Sequence, residues 1–279
     1  MEKTFENYTF SRRVKSMLKA DMRRALTSPF IYLMIGIALV TPILILVMTT
    51  MMDGTVSVDP NGNQTVMQGF DNVWQILGSV SGGGMGQGAQ SGEGGMQAGM
   101  GMDLVSMCNI NMMYFMIAVT TCVFVADDFR SGYAKNLFTV RAKKSDYVLS
   151  KTLVCTLIGG VMIVAFFLGA MLGGKFAGLP FIKEGFSSAN IFACMLAKIF
   201  LVGIFVSIYL TMSVAFKQRL WLSLLLSFGV GMLLFTVAPM ISPLDAGFMH
   251  VVLSMVGSFL FSLGLGAVAN TVLHKTDIL

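Results

Sequence analysis

Six long apolar runs constrain this chain more than any other feature of its sequence. Each run is close to the roughly 20 residues that an α-helix needs to cross the hydrocarbon core of a bilayer. Only 12% of the 279 residues are charged, against about 25% in an average soluble domain. The sequence therefore predicts an all-α integral membrane protein with six transmembrane helices. The predicted spans are about 30–52, 104–126, 152–174, 189–215, 220–238 and 249–273.

The distribution of lysine and arginine predicts which side of the membrane each connection faces. No Lys or Arg occurs from residue 25 through residue 129, so the long connection 53–103 is placed outside by the positive-inside rule. The turn at Lys217 and Arg219 and both termini are then cytoplasmic. The sequence therefore divides into two segments: a cytoplasmic N-terminus, residues 1–29, and a six-helix transmembrane domain, residues 30–279.

The net charge of +5 does not indicate nucleic-acid binding. The cations lie beside the apolar runs, where membrane topology and anionic lipid account for them. The cysteines lie inside or at the edges of the spans, without the spacing of a metal site, and are interpreted as buried thiols that pack like small apolar side chains. These residues are Cys108, Cys122, Cys155 and Cys194.

Residues 8–27 predict an amphipathic helix at the cytoplasmic interface. Their apolar side chains recur with helical spacing, and basic side chains flank that stripe, as is typical of helices that lie on a membrane surface. Ser28-Pro29 ends this helix and starts the next one. The basic flank consists of Arg12, Arg13, Lys15, Lys19, Arg23 and Arg24.

A charged island separates the second and third apolar runs. Residues 127–151 read DDFRSGYAKNLFTVRAKKSDYVLSK, which makes them a cytoplasmic loop. Asp127 and Asp128 are predicted to open a short helix, where the helix dipole favours acids. Ser145-Asp146 is a suitable N-cap for a second turn. From the residues alone two interpretations stay open: a helical loop that docks with a partner, or a solvated loop whose charges only set orientation.

The island resembles the first cytoplasmic loop of permease subunits of ABC-2 type transporters, which have the type V exporter fold. Three parts carry the resemblance: an acidic-Phe-Arg-Ser-Gly start, a Lys-Asn pair, and a close that reads Ser-x-Tyr-x-x-Ser-Lys in this sequence. The matching residues are Asp128, Phe129, Arg130, Ser131 and Gly132, then Lys135 and Asn136, then Ser145, Tyr147, Ser150 and Lys151. The N-terminal amphipathic helix is similar to that family's connecting helix.

The resemblance implies an ATP-driven exporter that moves an amphipathic or hydrophobic cargo, such as a drug, lipid or antimicrobial peptide, across a bacterial plasma membrane. Two copies of a cytosolic ATPase would bind ATP and Mg, and a second permease subunit would complete a homo- or heterodimer. This chain would then be no enzyme itself, with no catalytic residue, cofactor or metal of its own. The residues implied to contact the ATPase are Asp127, Asp128, Phe129, Arg130, Ser131, Gly132, Lys135 and Asn136. Residues 141–144 are expected to bind lipid head groups instead.

Two other classes of function are open. The chain could be a membrane sensor or assembly factor that transports nothing. An ion-driven secondary transporter is the other class, and the absence of any acidic residue within the six predicted spans disfavours it.

Three polar residues are candidates for a substrate path: Lys198 within the fourth span, and Asn109 and Asn111 near the outer end of the second. An intramembrane cation is by default a functional-site hypothesis. The alternative for Lys198 is a side chain that snorkels to the outer interface.

Small residues recur every four positions in the last three spans, as in Gly203, Ser207 and Thr211. Such stripes favour close helix packing, with a dimer interface or a substrate path as the alternative.

The outer connection 53–103 contains a Gly- and Met-rich stretch, residues 82–102. Thioethers there could bind Cu(I), but the chain has 24 Met, so background composition is the preferred interpretation. Residues 70–80 predict a short amphipathic helix on the outer membrane surface, anchored by Trp74.

Overall fold

The computed structural model describes residues 10–58, 64–66, 69–78, 109–140, 144–217, 219–235 and 237–275. Within these ranges, five helices are long and apolar enough to cross a membrane, in agreement with an all-α membrane protein. The α-helices are α1 Phe10–Thr27, α2 Pro29–Met52, α3 Met113–Arg130, α4 Tyr133–Val140, α5 Lys144–Ala177, α6 Ser188–Phe216, α7 Leu220–Phe235, α8 Ala238–Ile241 and α9 Phe248–Lys275. The remaining elements are 3-10 helices Val73–Leu77 and Ile110–Met112 and the antiparallel strands β1 Val56–Val58 and β2 Gln64–Val66.

The predicted spans 30–52, 189–215 and 249–273 agree with α2, α6 and α9 to within a few residues. The helix predicted from about residue 152 begins earlier, at Lys144. The predicted span 104–126 is displaced toward the island, because α3 runs from Met113 to Arg130; residues 104–108 lie outside the described part of the chain. The predicted span 220–238 ends three residues early, because α7 has 16 residues. At 1.5 Å per residue α7 is about 24 Å long, less than the roughly 30 Å hydrocarbon core.

The contacts between elements define two ends of the bundle. At the island end, α1 and the last turn of α3 meet the start of α5, and Lys144 Nζ donates to the carbonyl of Leu273, in α9, at 2.6 Å. The far end holds the 3-10 helix Ile110–Met112 and the start of α6. Of residues 141–144, which were predicted to bind lipid head groups, the structure describes Lys144, and its hydrogen bond attaches it to α9. Residues 141–143 lie outside the described residues, so their contact with lipid stays a prediction.

Helices α2 and α5 pack closely because glycines on α5 face the backbone of α2. A Cβ on Gly169 would lie 2.7 Å from Pro42 Cγ and closer still to the carbonyl oxygen of Leu39. A Cβ on Gly173 would lie 2.8 Å from Ile43 Cα. Residue numbers rise together along both helices at these contacts, so α2 and α5 run parallel.

The small-residue stripes pack helices within this chain, which confirms the packing interpretation. The Ser207 hydroxyl on α6 lies 2.9 Å from the Ser262 hydroxyl on α9, and Thr211 Oγ1 donates to the carbonyl of Leu265 at 3.3 Å. On α7, the Ser223 hydroxyl lies 2.9 Å from that of Ser213. Short side chains at these positions let the helices approach and supply hydrogen bonds between them.

The segment around Trp74 lies inside the protein, contrary to the prediction of a helix anchored at the outer membrane surface. It forms one short 3-10 helix whose Val73 amide donates to the carbonyl of Pro180 at 3.2 Å. The Trp74 side chain is 5% exposed and packs edge-on against Phe181 with ring centroids 5.8 Å apart. The Gly- and Met-rich stretch 82–102, and with it the copper alternative, lies outside the described residues.

The cysteines that the structure describes are buried thiols, as predicted. Cys122, Cys155 and Cys194 are all free and buried, and Cys108 lies outside the described residues.

Candidate functional site

The two acids at the start of the island end a helix instead of opening one. Helix α3 continues through Arg130, and the Ser131 amide donates to the carbonyl of Asp127 at 2.9 Å. Gly132 follows with φ +72°, a left-handed conformation that glycine adopts without strain, and α4 begins at Tyr133. Asp127 and Asp128 therefore lie at the negative end of the α3 dipole, where carboxylates are disfavoured and need nearby cations.

Lys151 supplies the first of these cations. Its ammonium lies 2.7 Å from Asp128 Oδ2 and 2.9 Å from Asp21 Oδ1, although neither contact has the angle of a directed hydrogen bond. All three side chains are 0% exposed. Tyr147 Oη donates to Asp128 Oδ2 at 2.8 Å and Ser150 Oγ donates to Asp21 Oδ2 at 2.5 Å. The cluster thus joins α1, α3 and α5.

Arg24 supplies the second cation. Its Nη1 donates to Asp128 Oδ1, its Nη2 lies 3.8 Å from Asp127 Oδ2, and its guanidinium lies 4.0 Å from the centre of the Tyr133 ring. Burial alone would lower the pKa of Arg24, but its neighbours together, chiefly the Asp128 carboxylate, outweigh burial and raise the pKa above its usual value. Burial, reinforced by the Asp21 carboxylate, raises the pKa of Tyr133, so its phenol stays neutral.

The charges within this cluster balance. We call Asp21, Arg24, Asp128 and Lys151 the charge cluster: two carboxylates face two cations. Moving an ion from water into a protein interior costs several kcal/mol. Attraction between opposite charges offsets that cost only when each ion has a partner. The charge cluster therefore holds only while α1 is docked on the bundle.

A second ion pair lies beside the charge cluster. Arg13 Nε donates to Asp146 Oδ2 at 3.1 Å, and Asp146 is buried in the first turn of α5. Helix α1 is thus attached near both of its ends, through Arg13 and Arg24.

The basic face of α1 therefore has two different roles. Among the residues predicted to face lipid, Arg13 and Arg24 are half-buried and contact carboxylates of the bundle. The others stay exposed, as an interfacial helix requires; these are Arg12, Lys15, Lys19 and Arg23. Asp21, the buried acid in the middle of the helix, was not among the predicted site residues. The sequence contains a sign of this burial, because Asp21 lies four residues after Met17 and therefore on the apolar stripe of the helix.

The exposed part of the island is smaller than predicted. Asp128 and Phe129 are buried, so they do not present themselves to another protein, and Phe129 packs near Tyr147. Gly132 is half-buried in the turn. The predicted contact residues that remain exposed are Asp127, Arg130, Ser131, Lys135 and Asn136. The buried contacts also exclude the interpretation of the island as a fully solvated loop.

The substrate-path candidates meet at the far end. Lys198 is 0% exposed, and its ammonium donates to Ser242 Oγ at 3.1 Å and to Asn111 Oδ1 at 3.4 Å. Asn109 Oδ1 accepts from the Asn111 amide at 2.9 Å and caps the 3-10 helix. The structure brings Lys198 and Asn111 together in the interior, which excludes a snorkelling Lys198. Asn109 positions Asn111 through this cap.

No family model, curated protein or solved structure matches the chain. In the part of the chain that the structure describes, no three His, Cys, Asp or Glu side chains come together as metal ligands. The contacts at the island end connect an amphipathic helix, a short surface helix and two long apolar helices into one charge-balanced unit.

Proposed function

We propose that the chain is the permease subunit of an ABC-2 type exporter with six spans and both termini in the cytoplasm. The observation that carries the proposal is the charge cluster, which joins α1 to the island through Lys151. If α1 and the island served only to set the topology of the chain, no buried ionic connection between them would be needed. A subunit that receives mechanical work from outside the membrane needs one.

The connection gives a route for motion into the bundle. Helix α4 follows α3 through the single turn at Gly132, so a force on α4 acts on the end of α3. Asp128, in the last turn of α3, is bound to α5 through Lys151 and to α1 through Arg24. Closing of the ATPase dimer would therefore move these three helices together and switch access of the cargo path from inside to outside.

The proposed ATPase contact is the exposed surface of the island. It carries three charges of mixed sign, Asp127, Arg130 and Lys135, next to Ser131 and Asn136. Asp128 and Phe129 support that surface from beneath. Polar and charged side chains of both signs suit a cleft in a soluble partner better than a lipid surface.

The other partners follow from the same proposal. Two copies of the ATPase subunit bind ATP and Mg, and a second permease, identical or homologous, completes the transporter in the bacterial cell membrane. Helix α9 packs on α6 yet is 6% buried over its most apolar window, which leaves an apolar face for lipid or for the second permease. The apolar spans favour an amphipathic or hydrophobic cargo.

The proposal is tested by purifying the chain from its native host and measuring ATPase activity and transport. We expect an ATP-binding-cassette subunit to co-purify. Arg130→Ala and Gly132→Ala are expected to leave the complex assembled while transport per ATP hydrolysed falls. Lys183→Ala, exposed at the far end, is the control and is expected to transport normally.

The alternatives give different results. A sensor or assembly factor would co-purify without any ATPase, which would overturn the proposal. A secondary transporter would move cargo in vesicles that contain an ion gradient and no ATP, which would overturn it as well.

A further inference from the structure

Two lysines of the described residues are fully buried, and their surroundings are opposite. Lys151 and Lys198 are both 0% exposed. Lys151 lies between the carboxylates of Asp21 and Asp128. Lys198 has neutral oxygen partners, Asn111 Oδ1 and Ser242 Oγ, and within the described residues no carboxylate lies at ion-pair distance from its ammonium.

The direct partners of the Lys198 ammonium are neutral, so no ion pair among the described residues offsets its charge. A buried ammonium in an apolar interior is costly unless an opposite charge lies beside it. An ammonium also has three N–H donors, and the described residues accept two of them. The second acceptor is weak, since the distance to Asn111 Oδ1 is 3.4 Å.

Two groups of this cluster carry N–H donors, the Lys198 ammonium and the Asn111 amide. The Ser242 hydroxyl proton is used, because Ser242 Oγ donates to the carbonyl of Ala238 at 3.0 Å. The Asn111 amide group carries two further N–H donors, and its oxygen is the atom directed at Lys198. A group that completes this cluster must therefore accept hydrogen bonds and carry negative charge.

An apolar aromatic wall lies next to the cluster. Tyr114 Oη donates to the backbone carbonyl of Lys198 at 3.3 Å, and the Tyr114 ring stacks on Phe205 with centroids 4.1 Å apart. A positive charge beside an aromatic, apolar wall is suited to an acidic head group that is attached to a hydrocarbon chain.

We infer that Lys198, Asn111 and Ser242 form a binding site for a single anionic group, supplied by an inorganic monoanion or by the carboxylate of an amphiphile. Lys198 provides the charge and Asn111 an additional donor. Ser242, in the turn after α8, holds the ammonium in place. The site belongs to this chain alone, so it does not depend on the proposed ATPase.

The test uses the purified full chain in dodecyl maltoside, a neutral detergent that presents the same alkyl chain in every sample. Sodium chloride and isotope-labelled sodium dodecanoate are the two probes, in a mildly alkaline buffer where the acid is ionised. Equilibrium binding and thermal unfolding are measured for the wild type, Lys198→Met, Lys198→Arg and Ser242→Ala. Lys183→Met, an exposed lysine at the far end, is the matched control.

We expect the probe that binds the wild type to bind Lys198→Met at least tenfold more weakly, which corresponds to about 1.4 kcal/mol. The unfolding temperature of the wild type and of Lys183→Met should rise with that probe, since ligand binding stabilises the folded state. Lys198→Arg should retain part of the response, and Ser242→Ala should weaken it. If Lys198→Met folds poorly, the Lys198→Arg and Ser242→Ala comparison still tests the site.

Two results distinguish an inorganic anion from an amphiphile as the source of the anionic group. A response to chloride alone identifies a small-anion site, and a response to dodecanoate at constant chloride identifies an amphiphile site. Equal binding by the wild type and Lys198→Met, or a wild type that responds to neither probe, would overturn the inference and leave Lys198 as a neutral buried amine.

Discussion

Lys151 Nζ lies 2.7 Å from Asp128 Oδ2 and so joins the start of one long apolar helix, α5, to the end of another, α3. The same ammonium reaches Asp21 on α1 at 2.9 Å. One lysine thus connects three helices at the point where the chain passes from the apolar bundle to its charged island. The island can therefore move relative to α1 and α5 only if these contacts break.

Replacing Lys151 with Met should destabilise the protein by about 3–5 kcal/mol, because it leaves buried carboxylates without their partner. Thermal unfolding in neutral detergent measures the loss. Lys135→Met, on the exposed face of α4, is the control and should stay within about 0.5 kcal/mol of the wild type.

A double variant sharpens this prediction. Asp21→Asn combined with Lys151→Met removes both members of one ion pair, so its loss should be smaller than the sum of the two single losses. Strict additivity of the two substitutions would show that Asp21 and Lys151 do not interact.

Gly169→Ala should destabilise the packing of α2 on α5. The added methyl group meets the Leu39 carbonyl and the Pro42 ring, and overpacking of this kind costs about 1–3 kcal/mol. Gly160→Ala on the same helix is the matched control, since its Cβ would lie 3.4 Å from Ile199 Cγ2. Equal unfolding temperatures for the two variants would contradict the close approach of α2 and α5.

Trp74→Phe and Trp74→Ala should differ widely in stability. Trp74 is buried, but its indole Nε1 has no hydrogen-bond partner, so phenylalanine keeps most of the packing without an unsatisfied donor. We expect a loss below about 1.5 kcal/mol for Trp74→Phe and about 3–5 kcal/mol for Trp74→Ala. Thermal unfolding distinguishes this from a lipid-facing Trp74, for which both variants would unfold close to the wild type.

The two ends of the bundle should react on opposite sides of the cell membrane. Lys135→Cys lies on the island and Lys183→Cys near the start of α6, and both positions are exposed. An impermeant maleimide added to intact cells should label Lys183→Cys and should label Lys135→Cys only after the cells are opened. The unsubstituted chain measures the background from its own cysteines. Labelling of both variants in intact cells would rule out the proposed orientation.

Periodicity and run length were sufficient to predict that the chain consists of long apolar helices, and for α2 and α6 they also predicted the bounds. The bounds of α2 and α6 match their predicted spans to within a residue or so, because the thickness of the bilayer sets the length of an apolar helix and because every backbone group must be bonded within it. The stripe that contains Ser207 also predicted its own packing, since small residues at i and i+4 share one helix face.

The charge cluster could not be predicted in the same way. Asp127 and Asp128 were assigned to a helix start because acids are favourable there, and only the fold shows them at a helix end beside Arg24 and Lys151. Asp21 was not among the predicted site residues, and Trp74 was predicted to anchor a helix at the outer membrane surface.

The sequence by itself determined a membrane protein of long apolar helices with a basic amphipathic helix and a charged island, because each of these features is encoded by neighbouring residues. Tertiary structure decided which charges meet. Ser150 and Asp21 are separated by 129 positions and Arg24 and Asp128 by 104. Such contacts arise only when packing brings distant segments together and excludes water, since buried ions are stable only beside their partners.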